Sequence, residues 1–136
     1  MNTDFRPHAE LKWIEEANAI QVKWLQLHMS SKQFYKICAA AIKILMAHKG
    51  NIWIADMFDS EGVFSREIQQ VITSTVLQQQ ADAAGIEYVF TVMPKTAGLS
   101  SLNTRTWLKK AQKMELQDSV VEFPNLETCL EWIKSH

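Results

Sequence analysis

Residues 51–65 read N-I-W-I-A-D-M-F-D-S-E-G-V-F-S. Ile52, Trp53, Ile54 and Ala55 are apolar without alternation, the pattern of a strand buried on both faces at the centre of a sheet. Asp56 closes the strand, and Met57 to Phe64 form a loop carrying Asp59, Ser60, Glu61 and Gly62. Ser65 fits the N-cap of a helix that follows. Strand, polar loop and helix start, in that order, place carboxylates and serine hydroxyls at the mouth of a sheet. A helix N-terminus there favours an anion or a phosphate.

The chain on either side alternates strand and helix signals. Leu11 to Glu15 reads as a weak strand, Glu16-Ala17-Asn18 as a turn, and Ile20, Val22 and Trp24 alternate with Gln21 and Lys23 as a half-buried strand. The phase slips at Leu25 and Leu27, which predicts a twist or bulge. Ser30-x-x-Gln33 is a capping box opening a helix with the stripe Phe34, Ile37, Cys38, Ala41, Ile42 and Leu45, and Gly50 fits its C′ position. Ser65 opens a second helix, with Ile68, Val71, Ile72, Thr75 and Val76 on one side, ending at Gly85. Ile86 to Met93 is a strand, and Leu99 or Ser100 begins a helix that runs to about Met114. Ser119 to Phe123 is a last strand, and Asn125 caps a helix whose stripe is Leu126, Cys129, Leu130 and Ile133.

The expected architecture is α/β, in the order ββαβαβαβα. It is a mixed, mostly parallel five-stranded sheet with four helices, in a single domain over residues 1–136 with uncertain order in residues 1–10. The formal net charge of -1 gives no overall attraction to nucleic acid. The apolar runs are too short to span a bilayer, and the first residues lack a secretory h-region. Cys38 and Cys129 are far apart, have no zinc spacing, and read as reduced, buried thiols of a cytoplasmic protein without cofactor or metal.

Loops at the C-terminal strand ends collect along one edge of a parallel sheet. Here they are His28-Met29-Ser30, Asp56 to Ser65, the segment with Lys95 and Thr96, and Pro124-Asn125. The bland role of Ser30, Ser65 and Asn125 is helix capping, worth roughly 1 kcal/mol each. The sharper reading makes Asp56, Asp59, Ser60, Glu61, Gly62 and Ser65 a phosphorylation or partner loop, with His28, Lys95 and Thr96 as a possible ligand edge. Arg105, Lys109, Lys110 and Lys113 fall on one helix face, a solvated surface or a contact for an acidic partner or phospholipid headgroup. No catalytic elbow or metal motif is present, so the chain reads as a non-enzyme. The central strand needs cover on its second side. Either the N-terminal segment with Phe5, Leu11 and Trp13 or a homodimer through the open sheet face supplies it.

The strand order, the Asp-Ser-bearing loop after Ile52 to Asp56, and the ending V-V-E-F-P-N-L-E-T-C-L-E-W-I-K resemble the STAS domain superfamily. Those are the SpoIIAA-like, anti-sigma-factor-antagonist-like proteins, and the chain is most similar to small stand-alone bacterial members of the STAS/SEC14 type. The resemblance covers the chain from about Leu11. In the antagonists the loop carries a serine phosphorylated by a partner kinase, and the matching stretch is Asp59-Ser60-Glu61-Gly62, with Glu61 where a second serine would stand. The resemblance implies a superhelix of βα turns with the four helices mainly on one sheet face, and a protein-binding or ligand-sensing role in signalling more than catalysis: a non-catalytic regulatory or protein-binding module whose partner is a regulatory protein or kinase. The alternative is a small-ligand or lipid-binding domain using the C-terminal edge of the sheet.

Overall fold

The computed structural model describes residues 3–95 and 122–135. Within them the strands are β1 (Asp4–Phe5), β2 (Ala9–Ile14), β3 (Ala19–Trp24), β4 (Ile52–Asp56), β5 (Tyr88–Val92) and β6 (Glu122–Phe123), and the helices are α1 (Ser31–Ala47), α2 (Arg66–Ile72), α3 (Thr75–Ala83) and α4 (Leu126–Ser135). The strands lie side by side in chain order. β1, β2 and β3 pair antiparallel, while β3, β4, β5 and β6 pair parallel. The protein is therefore α/β with a mixed sheet of six strands rather than the expected five. The added strand is β1, two residues whose partners are Glu10 and Ala9; no periodicity is legible over so short a run.

Alternation divides the sheet into two faces. Leu11, Ile20, Val22 and Trp24 pack with Phe34, Ile37, Ala41 and Leu45 of α1 and Ile68 of α2, and Ala81 of α3 leans on the same core. On the opposite face Ile52, Ile54, Phe90, Val92 and Phe123 enclose Cys129 and Trp132 of α4. Three described helices thus share one face and α4 takes the other. The second side of the central strand is covered within the chain by α4, and not by Phe5, Leu11 and Trp13, which belong to the first core. Burying these side chains is the main stabilising term, roughly 1.5–3 kcal/mol for each large apolar residue.

Several boundaries depart from the sequence expectation for local reasons. α1 starts as predicted, with Ser30 Oγ accepting from Gln33 N at 3.1 Å. At its other end Lys49, not Gly50, takes the left-handed C′ conformation with φ 54°. Gly50 N donates to Leu45 O at 2.8 Å and Lys49 N to Met46 O at 3.1 Å, the two bonds of a Schellman end. Gly50 is required for a different reason. A Cβ there would sit 2.5 Å from Trp13 Cη2, 2.8 Å from Cζ3 and 3.1 Å from Asn18 O.

The single helix expected from Ser65 to Gly85 is broken at Thr73-Ser74. Thr73 Oγ1 donates to Gln69 O and Gln70 O at 3.2 Å each. Ser74 Oγ donates to Val71 O at 2.7 Å and accepts from Leu77 N at 3.2 Å, so it caps a new helix. Adjacent hydroxyls bonding the backbone compete with the helical ladder. Gly85 ends α3 with φ 88°, as its place in the sequence suggests. β3 stops at Trp24, and the phase slip beyond it marks where the chain leaves the β2 ladder and Gln26 pairs with Glu61. The helix expected between Leu99 and Met114 lies outside the described residues, as do residues 119–121 of the last strand.

Candidate functional site

The loop after β4 is fastened at successive points. Met57 N donates to Val92 O at 2.9 Å, extending the ladder to β5. Phe58 N donates to Asp56 Oδ1 at 3.0 Å, an Asx turn, and Ser60 N donates to Met57 O at 3.0 Å. Glu61 then adds a parallel bridge to the end of β3: Glu61 N donates to Leu25 O at 2.8 Å and Leu27 N to Glu61 O at 3.0 Å. Gly62 turns with φ 79°, a conformation that favours glycine, and Gln26 Oε1 lies 3.1 Å from where its Cβ would be. Phe64 returns to the core edge-on to Trp24 and Phe34, with ring centroids 5.3 and 5.6 Å away. Ser65 Oγ accepts from Ile68 N at 3.2 Å, so it is the predicted cap of α2.

Charge adds a further fastening. Asp59 Oδ2 lies 3.3 Å from Lys23 Nζ and its Oδ1 3.5 Å from Lys95 Nζ. One carboxylate therefore ties the ends of β3 and β5 to the loop after β4. Lys95 N also donates to Phe58 O at 3.1 Å. These groups are partly exposed, so each pair is worth about 0–1 kcal/mol and fixes geometry more than it stabilises. Ser60 follows Asp59, half-buried, and its hydroxyl makes no hydrogen bond among the described residues. Glu61 and Gly62 are exposed, and Val63 is 73% exposed.

Asp56 does not join this surface. It is buried on the α4 side of the sheet, where Gln21 Nε2 donates to its Oδ2 at 2.7 Å and Phe58 N holds its Oδ1. The bond from the following loop is the one expected of a carboxylate ending a strand. Gln21, a polar position in the alternation of β3, is only 6% exposed. A signal for it was present: Gln21 and Lys23 alternate with Ile20, Val22 and Trp24, so both face the side on which β4 presents Ile54 and Asp56. Cys129 packs on that side too. Burial, and secondarily the Asp56 carboxylate, push its thiol up to about 12.

The structure brings Asp59, Ser60, Lys23 and Lys95 together at the strand ends, with Glu61 and Gly62 beside Gln26. His28 is exposed nearby; its backbone N donates to Gln26 Oε1 at 3.1 Å. Among the described residues no hydrogen bond links His28 to Asp56 or Ser60. Thr96, Arg105, Lys109, Lys110 and Lys113 lie outside the described residues. Asn125 caps α4, its Oδ1 accepting from Thr128 N at 2.8 Å. His8 is half-buried, with Nδ1 3.0 Å from Gln26 O. Among the described residues no cluster of three or more His, Cys, Asp or Glu is placed to hold a metal, and no helix is long and apolar enough to cross a membrane. No family model, no curated protein and no solved structure matches the chain.

Proposed function

We propose that the protein is a non-catalytic regulatory or protein-binding module of the SpoIIAA-like type, with the loop Met57 to Phe64 as its contact surface. The observation that carries this reading is an exposed loop held rigidly. Val63 projects at 73% exposure between the Glu61 bridge and the Phe64 anchor. A surface already ordered loses little conformational entropy when a partner docks. The half-buried Ser60, its hydroxyl without a hydrogen bond among the described residues, stands between Asp59 and Glu61. A phosphoryl group there would compete with Asp59 for Lys23 and Lys95 and repel both neighbouring acids. Loss of the Asp59 clamp would then release the loop, so one modification changes the shape a partner meets. Ser65 is a poorer acceptor of phosphate because its oxygen already caps α2.

Incubation with serine kinases of the source organism, followed by intact-mass measurement, tests the switch. The expected result is a single phosphoform that disappears in Ser60→Ala. No phosphoform at Ser60 under any kinase overturns it. The binding reading is tested separately, by titrating a purified captured partner against Val63→Asp, where an unchanged affinity rules the loop out as the contact.

A further inference from the structure

α1 uses only part of its circumference to fold. Phe34, Ile37, Ala41, Ile44 and Leu45 are its buried residues. Along the next edge of the helix lie Tyr35, Ala39, Ile42 and Met46, spaced four, three and four residues apart. That is the a/d spacing of a heptad seam, about three turns or 16 Å long. Tyr35 is 47% and Met46 56% exposed, Ala39 is exposed and Ile42 is half-buried. Large apolar side chains left in water along one line mark a contact surface, and aromatic residues and Met are enriched at such surfaces.

Charge follows the same line. Lys36 and Lys43 come one residue after Tyr35 and Ile42, the e positions of the repeat, and both are exposed. Lys32 is exposed at the N-terminal end. The sequence of α1 contains no Asp or Glu. Among the described residues none of the three lysines is in an ion pair. Folding does not call for them. Cations in the first turns of a helix oppose its dipole, and no acid stands three or four residues away to offset the cost. On the g side of the seam Cys38 and Leu45 belong to the core instead.

We propose that this edge of α1 docks one amphipathic helix of a partner protein, with apolar residues at heptad spacing and a row of carboxylates facing Lys36 and Lys43. The seam supplies the register of such a pair, and the lysines supply its sign. Two other occupants fit less well. A second copy of this chain, packed antiparallel through the same seam, sets lysine row against lysine row. A bilayer takes up a helix by a broad apolar face, and the broad face of α1 is committed to the core, leaving only the seam.

The test uses the full chain and a dye-labelled peptide of about four heptads, with Leu at a and d and Glu at e and g, read by fluorescence anisotropy. Saturable binding with a Kd of about 100 μM or below is expected. A peptide with Lys at e and g, and a scrambled peptide of the first composition, should each bind about tenfold or more weakly. The double variant Lys36→Glu, Lys43→Glu changes only exposed positions and should invert the preference toward the Lys peptide. Lys12→Glu, on the opposite sheet face, should leave binding unchanged. Tyr35→Ser should weaken binding of the Glu peptide without altering the preference in charge. No saturation of the Glu peptide by about 100 μM, equal binding of the scrambled peptide, or an unaltered preference in the double variant each overturns the proposal. Sedimentation with phosphatidylcholine vesicles containing about 30% phosphatidylserine, without peptide binding, also overturns it and assigns the edge to a membrane. A dimer in light scattering that Tyr35→Ser abolishes overturns it in favour of a second copy.

Discussion

Gln21 and Asp56, 35 residues apart in the chain, are joined side chain to side chain at 2.7 Å while both are buried. The bond couples neighbouring parallel strands on the α4 side of the sheet. Gln21→Leu keeps the volume but takes the donor from a buried carboxylate. A hydrogen bond to a charged group is worth about 1.5–3 kcal/mol, and a desolvated carboxylate left short of donors costs toward the upper end. Urea unfolding should show a loss of about 2–3 kcal/mol. A loss below about 0.5 kcal/mol would mean that water takes over the role of Gln21.

The two thiols give the fold a pH dependence in alkali. Burial pushes Cys38 up to about 12 from an ordinary value of 9.0, and burial with the Asp56 carboxylate does the same to Cys129. A raised acid pKa in the folded state means the unfolded chain loses its protons first. Stability is therefore fully present below pH 9 and falls as pH rises from 9 toward 12, by up to about 1.4 kcal/mol per pH unit for each thiol. Cys129→Ala should flatten part of that slope in chemical unfolding followed from pH 8 to 11. At neutral pH a thiol reagent should leave Cys129 unmodified until denaturant is added, with Cys38, only partly buried, reacting first.

Gly50→Ala should act through Trp13. The added methyl meets the indole ring at 2.5 Å, and that ring is not free to swing away. It stacks on His48 with centroids 4.5 Å apart and donates from Nε1 to Glu15 Oε2 at 2.7 Å. Overpacking of this kind costs roughly 1–3 kcal/mol, seen as a fall of several degrees in Tm. Lys49→Gly should do the opposite and stabilise slightly, because Lys49 and not Gly50 carries the left-handed φ of 54°.

Asp59→Ala should leave global stability within about 1 kcal/mol, since its ion pairs with Lys23 and Lys95 are partly exposed. Its effect should be local: faster amide hydrogen exchange at Ser60 and Glu61 with no change in α1. Unchanged exchange in the loop would show that the Glu61 backbone bridge alone holds it.

What was legible in the sequence were the features set by near neighbours. Ser30, Ser65 and Asn125 are caps because a short side chain three residues ahead of a free N–H needs no tertiary help. The apolar run Ile52 to Ala55 is the buried strand it suggested, because both faces of the sheet are covered. The loop was found, and its Asp59 and Lys95 do meet, since both lie at C-terminal strand ends. The burial of Gln21 is not legible in the sequence because it is decided by Asp56 and by the placement of α4, both distant in the chain. The break at Thr73-Ser74 was hidden because Thr75 continues the apolar stripe across it. β1 escaped notice because two residues show no period. The resemblance to SpoIIAA-like proteins rests on core pattern and one loop, and it informs the proposed function without adding to the fold.

The position of α4 sets an order of events during synthesis. β4 and β5 leave the ribosome well before Cys129 and Trp132 do, and those two side chains complete the second core over Ile54, Phe90 and Val92. Until then, among the described residues, only the core beneath α1, α2 and α3 can close, with Ile54, Phe90 and Val92 uncovered on the other side. Such an intermediate is a natural client for a chaperone that holds apolar β-surface. A premature stop codon anywhere ahead of Trp132 should yield a sticky fragment rather than a smaller working protein.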